Sequence, residues 1–361
     1  MSSSNWRTVA GLLTAATLLV AACSSDDDGA TVRDLGAETE TSDSASASDS
    51  ASASASSSAS ASAPAVEGDA AESTGEDGGY EYASNVDAHR LVVADICPIG
   101  DLLDAADFDA VAAIYRDGVN SVNSDGSVRS IGGFAAAEDR LHGLDAYYGT
   151  ATPLDDFITA ALDGTGMFEG LSDAARGQGV EKGMQNQTMV AWVVHELNTA
   201  LAKAEDGDFD VASGAVHNWD EGWAFFYGSQ PGCSPAATGN SRAANFGTLA
   251  EDGETALANE AILAAMIEGR DALLAEDAAG AAAAADEVIK NVAITYSQAA
   301  IRYASLIEGD LAEADDDAAK THQAEGLAFW RVIEAYAVPL GADADAMDAI
   351  CLLYTSDAAD D

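Results

Sequence analysis

The chain has 361 residues, with 62 Asp and Glu against 15 Lys and Arg, and a formal net charge of −47. Such a charge excludes nucleic acid as a partner and is that of a hydrated acidic surface suited to salty surroundings. Most of these acids are therefore solvated surface, and only acids on an otherwise apolar face point to chemistry.

Residues 1–22 read as a signal peptide: a polar start with Arg7, an apolar run from Val9 to Val20 too short to span a membrane, then small residues. The stretch Val20-Ala21-Ala22-Cys23 resembles a bacterial lipobox, in which signal peptidase cuts before the cysteine and lipid is attached to it. An ordinary secretory signal with an incidental cysteine is the alternative. Either way the mature protein is expected outside the cytoplasm, and with Cys23 lipidated it is anchored to the cell envelope or surface. Residues 23–84 continue as Ser/Ala repeats mixed with acids, with almost nothing to bury, and are expected to form a disordered linker reaching about 40 Å on average.

At the other end, CLLYTSDAADD (351–361) is what the transposase adapter of a short-read sequencing library encodes in one frame. These residues are expected to be an artefact, with the true C-terminus lying beyond Ile350, so Cys351 is set aside. Cys97 and Cys233 then remain in an oxidising compartment, and the simplest reading is one disulfide.

The body, 85–350, is long enough for a substantial core. Apolar residues recur at helical spacing through 101–115, 135–148, 188–204, 214–227, 257–275, 284–308 and 318–337. This predicts an all-α fold. The glycine-containing stretch GLSDAARGQGVEKG (170–183) follows no strand and is expected to be a loop. A weak repeat runs through ADFDAVAAIYRDG (106–118), GDFDVASGAVHNWDEG (207–222) and GDLAEADDDAAKTHQAEG (309–326), with Asp107, Asp208 and Asp310 at corresponding turns. A bundle of duplicated helical hairpins in one domain is the architecture this implies.

The segment HNWDEGWAFFYG (217–228) carries the most chemistry. His217, Asp220 and Glu221 fall one turn apart on one side of a helix, with Trp219, Trp223 and Phe226 on the other. A helix that is apolar on one side and acidic on the other needs partners or a cation for its charges when both sides are buried. The same H-x-x-[DE] pattern recurs at His142-Asp145, extended by Glu138, and at His322-Glu325. Glu196 lies within the apolar stripe of Met189, Trp192, Val193 and Leu197, which turns His195 outward. Four helices would thus each bring a carboxylate to the interior, three of them with a histidine. Desolvated carboxylates repel one another unless protonated, paired or neutralised, and a metal neutralises them directly. Oxygen and imidazole donors favour iron, with manganese second, over thiolate-preferring metals. The alternative is that each histidine bonds within its own hairpin and each acid pairs with an arginine such as Arg302 or Arg140.

HNWDEGWAFFYG resembles the motif of the algal iron-assimilation proteins, also called low-iron-inducible periplasmic proteins, which have bacterial lipoprotein relatives; DFDAVAAIYRDG resembles them more loosely. The resemblance implies a secreted or surface-attached helical protein of iron uptake, with His217, Asp220 and Glu221 at or beside an iron site. A capture site would take Fe(III) or Fe(II) without turnover. A phenolate from Tyr296 or Tyr303 would favour ferric iron, and Arg302 could hold an anion such as carbonate. Two other readings remain: a di-metal oxidase or ferroxidase on the same residues with an open coordination position, and a helical-repeat module that binds a protein or glycan in a groove of its aromatic residues, the histidines being structural. An iron transporter is a natural partner for the first reading.

Overall fold

The structure, a computed structural model, describes residues 75–123 and 125–345. Cys23, most of the linker, Ile350 and the 351–361 segment lie outside these residues. The fold is all-α. In chain order the helices are α1 (Asp87–Arg90), α2 (Ile99–Asp104), α3 (Phe108–Asp117), α4 (Ile131–Ala135), α5 (Leu144–Tyr148), α6 (Pro153–Asp163), α7 (Asp173–Lys182), α8 (Met189–Glu205), α9 (Ala215–Phe226), α10 (Pro235–Phe246), α11 (Leu257–Leu274), α12 (Ala278–Glu313) and α13 (Asp316–Ala337). None of the described helices is long and apolar enough to cross a membrane.

The strongly periodic segments fold as their spacing predicts: α8, α9, α11, α12 and α13 all fall on expected helices. They pack as antiparallel neighbours, α8 on α9, α11 on α12 and α12 on α13, with α7 against α13. Tight turns set this arrangement. At Ala106, Gly207, Glu276 and Ala314 the backbone takes a positive φ of 54°, 80°, 58° and 60°. In each case that residue and the following aspartate donate their amides back to the preceding helix, as in Asp277 N to Ala272 O (2.8 Å) and Asp315 N to Asp310 O (2.9 Å). Asp107, Asp277 and Asp315 then cap the next helix through their carboxylates. The repeat is therefore one of turn chemistry. Asp310 itself lies inside α12, and the corresponding turn aspartate is Asp315.

Three expected elements differ. The 101–115 helix is broken by the turn at Ala106 into α2 and α3. The 135–148 helix does not form: α4 ends at Ala135, the chain takes positive φ at Asp139 (55°) and Gly143 (73°), and α5 starts only after Gly143. The 170–183 stretch is not a loop: Ser172 accepts a bond from Ala175 N, and α7 runs from there through a π-helical turn, Gly183–Thr188, directly into α8. The polar residues of that π turn are buried and paired across the bundle, Gln185 with Ser234 O, Gln187 with Ala328 O and Asn186 with the Tyr296 hydroxyl.

Residues 75–84, assigned to the linker by composition, belong to the fold. A two-residue Gly78-Gly79 turn joins β1 (Glu76–Asp77) to β2 (Tyr80–Glu81), both glycines at positive φ. A Cβ at Gly78 would sit 2.5 Å from the Tyr227 ring, so the hairpin lies directly against the end of α9. Tyr80 and Tyr82 are buried, and Trp223 donates its indole N–H to Asp77 O at 3.0 Å. Further along, Cys97 and Cys233 are disulfide-bonded, Cα to Cα 5.2 Å, across 136 residues.

The other indole of α9, Trp219, is fully buried against α11 and donates to Met266 O at 2.8 Å. Its ring occupies the space where residue 269 would carry a side chain, a Cβ there falling 1.9 Å from Trp219 Cζ2. Gly269→Ala should therefore destabilise the protein by about 2–3 kcal/mol through overpacking, read as a lowered urea midpoint with unchanged slope.

Candidate metal centre

α9 is buried on both sides, as its sequence requires, and its polar residues divide between two tasks. Asp220 turns toward the hairpin. Its Oδ1 accepts from the Tyr80 hydroxyl (2.7 Å), and its Oδ2 accepts from both the Ser84 amide and the Ser84 hydroxyl (2.7 Å each). Burial raises its pKa, and the bonds from Tyr80 and Ser84 oppose that shift. With both oxygens engaged, Asp220 holds the site together and is not placed to ligate, contrary to the expectation from helical spacing.

His217 and Glu221 turn the other way. Glu221 Oε1 lies 3.1 Å from His217 Nε2 and 3.0 Å from Nδ1 of His89, which comes from α1. Glu221 Oε2 accepts from Asn218 Nδ2 at 3.2 Å, and the same amide donates to Glu196 Oε2 of α8 at 2.5 Å. Lys203 fixes that amide by donating to Asn218 Oδ1 at 2.7 Å. Glu196 and Glu221 are thus joined through one shared amide donor. Burial and the nearby Glu221 charge raise the Glu196 pKa well above the carboxylate range, so Glu196 keeps its proton. Glu221 is lowered despite its burial, through its contacts with His217 and His89. His89 is lowered to about 4, chiefly by burial, and is a neutral imidazole at pH 7.

The two ring nitrogens of His217 face different partners. Ser84 Oγ, which donates to Asp220, lies 3.1 Å from His217 Nδ1. Nε2, on the far side of the ring, faces Glu221 Oε1 at 3.1 Å. An imidazole nitrogen and a carboxylate oxygen at that distance hold a proton or a cation between them. A carboxylate reaching an imidazole through its far nitrogen is also how metal-binding histidines are commonly oriented.

Of the residues singled out in the sequence, three converge here: His217, Glu221 and Glu196. The rest do not. Glu138 is exposed on the loop after α4, Asp145 is half-buried on α5, and the buried His142 accepts from Leu144 N at 3.1 Å, so that column is dispersed over the loop between α4 and α5. His322 pairs with Asp310 (2.6 Å), and Glu325 accepts from the Tyr303 hydroxyl (2.6 Å) with Lys182 at 3.6 Å, a separate polar group between α7, α12 and α13. The Tyr296 hydroxyl is spent on Asn186, and Arg302 reaches no carboxylate among the described residues. His195 is buried, not outward: its Nδ1 accepts from Leu141 N at 2.9 Å. His89 was missed. It sits in a four-residue helix with no periodicity to read, and only the scarcity of histidine, five in the chain, marks it.

As folded, no group of three or more His, Cys, Asp or Glu side chains among the described residues stands at metal-coordinating spacing. The four groups are closed on one another by hydrogen bonds. Their chemistry nonetheless fits a hard or borderline cation, with two imidazoles and two carboxylates in a largely buried setting.

A family model described as low iron-inducible periplasmic protein matches residues 54–330. The chain belongs to that family. It is thereby one of a group of extracytoplasmic proteins related to iron assimilation. The match includes the hairpin, α1, α8 and α9, and so every residue of the candidate centre. Neither curated proteins nor solved structures give a match.

The retained proton has a measurable consequence. In the unfolded chain Glu196 ionises near an ordinary pH of about 4.3, whereas in the folded protein it stays protonated far above that. The folded state then binds more protons, so this group erodes stability as pH rises through the neutral range. Glu196→Gln, which keeps a donor toward Glu221 and an acceptor for Asn218, should gain stability relative to the native protein between pH 5 and 8; denaturant midpoints across that range test the slope.

Proposed function

We propose that the protein is a lipid-anchored, extracytoplasmic iron-binding protein of iron assimilation that captures the ion without turnover. Iron is the cargo, held by Glu221 and His217 with Glu196 and His89 beside them. The observation that carries this reading is the buried meeting of His217 Nε2 with Glu221 Oε1 at 3.1 Å, backed by Ser84 and Asp220 behind the imidazole. A cation placed there takes the place of the proton between them, and ionisation of Glu196 adds a second carboxylate. Membership of a low iron-inducible family supports iron as the ion over manganese. Cargo would be passed on to an iron transporter.

Binding on these terms displaces the Glu196 proton, so apparent affinity falls with falling pH. Metal analysis and titration of the purified chain should give stoichiometric iron, abolished in Glu221→Gln and in His217→Ala. Ser84→Ala, which touches no iron in this scheme, should weaken binding by roughly 10–100-fold by freeing the imidazole. Unchanged iron content in Glu221→Gln sinks the assignment. Sustained oxygen consumption with Fe(II) would instead favour an oxidase on the same residues.

A further inference from the structure

Beside the aromatic wall of the candidate centre is a pocket of about 290 Å³, lined by Arg129, Ser130, Phe134, Arg140 and Trp192 among others. This is the size range of small-molecule sites. Its polar groups are unusual for this chain. In a sequence with 62 acids to 15 bases, neither Arg129 nor Arg140 reaches a carboxylate among the described residues. Arg129 donates to the Asn123 side-chain oxygen, and Arg140 lies over the Trp192 ring, 5.5 Å from its centre. Ser130 Oγ accepts from Gly133 N at 3.0 Å, which leaves its hydroxyl proton to donate.

The aromatic residues of the lining are of the opposite character. Phe134 and Trp192 meet edge to face with centroids 4.6 Å apart, and the indole N–H is already bound to Phe134 O at 3.0 Å. No polar group of these two rings is left to the occupant. Two guanidinium forks and a hydroxyl lining the same pocket as two aromatic rings select a ligand with one carboxylate and a flat apolar body. The long-range field of a chain at −47 repels anions, so local guanidiniums are what an anion site here needs.

We propose that this pocket binds small aromatic carboxylates. The site is distinct from the iron ligands: Phe134 stands between, packing on His89 at 6.3 Å and on Phe225 at 5.1 Å. The proposal therefore stands or falls independently of iron binding.

Calorimetric titration of the full chain in chelator-containing, metal-free buffer tests it, with benzoate and salicylate as probes and benzamide as the uncharged isostere. Saturable one-to-one binding of the carboxylates, at least tenfold tighter than benzamide, is expected. Arg140→Gln and Arg129→Gln should each weaken it about tenfold or more, with Arg140→Lys in between because it keeps charge and loses the fork. Glu221→Gln should bind benzoate as the native protein does. Equal binding of benzamide, absence of saturable binding, or unchanged affinity in both arginine variants overturns the proposal. The benzoate and benzamide comparison needs no variant, so a folding defect in either mutant leaves the test intact.

Discussion

A buried carboxylate with both oxygens satisfied holds this structure together at its centre. Asp220 sits in the middle of a helix whose indoles are packed on two sides, where an unpaired charge would cost several kcal/mol. It is satisfied by groups 136 and 140 residues earlier in the chain, the Ser84 amide and hydroxyl and the Tyr80 phenol. That bond set fixes where the hairpin lies. It also places Ser84 behind His217, and His217 in turn against Glu221. The same few atoms thus link the entry of the chain into the fold to the orientation of the candidate ligands.

The centre is a small electrostatic system whose members cannot be changed singly. Glu221 is ionised because His217 and His89 face it; Glu196 is protonated because Glu221 is ionised and burial disfavours a second charge. Asn218, held by Lys203, bridges the two carboxylates. Such an arrangement is stable without a cation because one proton does part of the work a cation would do. It is also poised to release that proton, since the pair becomes repulsive once both acids are charged.

The polar group around Glu325 shows what the same sequence pattern does without this context. His322 and Glu325 have the spacing of His217 and Glu221 to within one residue, yet each finds a partner on α12, Asp310 for the histidine and Tyr303 for the acid. Lys182 adds a positive charge beside Glu325. With a cation already supplied by a side chain, there is no charge deficit for a metal to fill.

Helical periodicity by itself determined the major helices, because an apolar stripe over fifteen or more residues has one way to be buried. It also indicated that α9 would be buried on both sides and that Glu196 would face inward, while the cysteine count in an oxidising compartment pointed to the disulfide between Cys97 and Cys233. Short elements were not legible in this way: α1, α4 and α5 span a turn or so, too few residues for a period, and the end of α4 at Ala135 with left-handed residues at Asp139 and Gly143 scatters Glu138, His142 and Asp145. Which candidates meet was decided only by tertiary structure. Spacing along a helix gives the direction of a side chain and says nothing of what stands opposite. Here the hairpin of residues 76–81 claimed Asp220, while α1 brought His89 to Glu221, and both came from a stretch whose composition carries almost no signal of order.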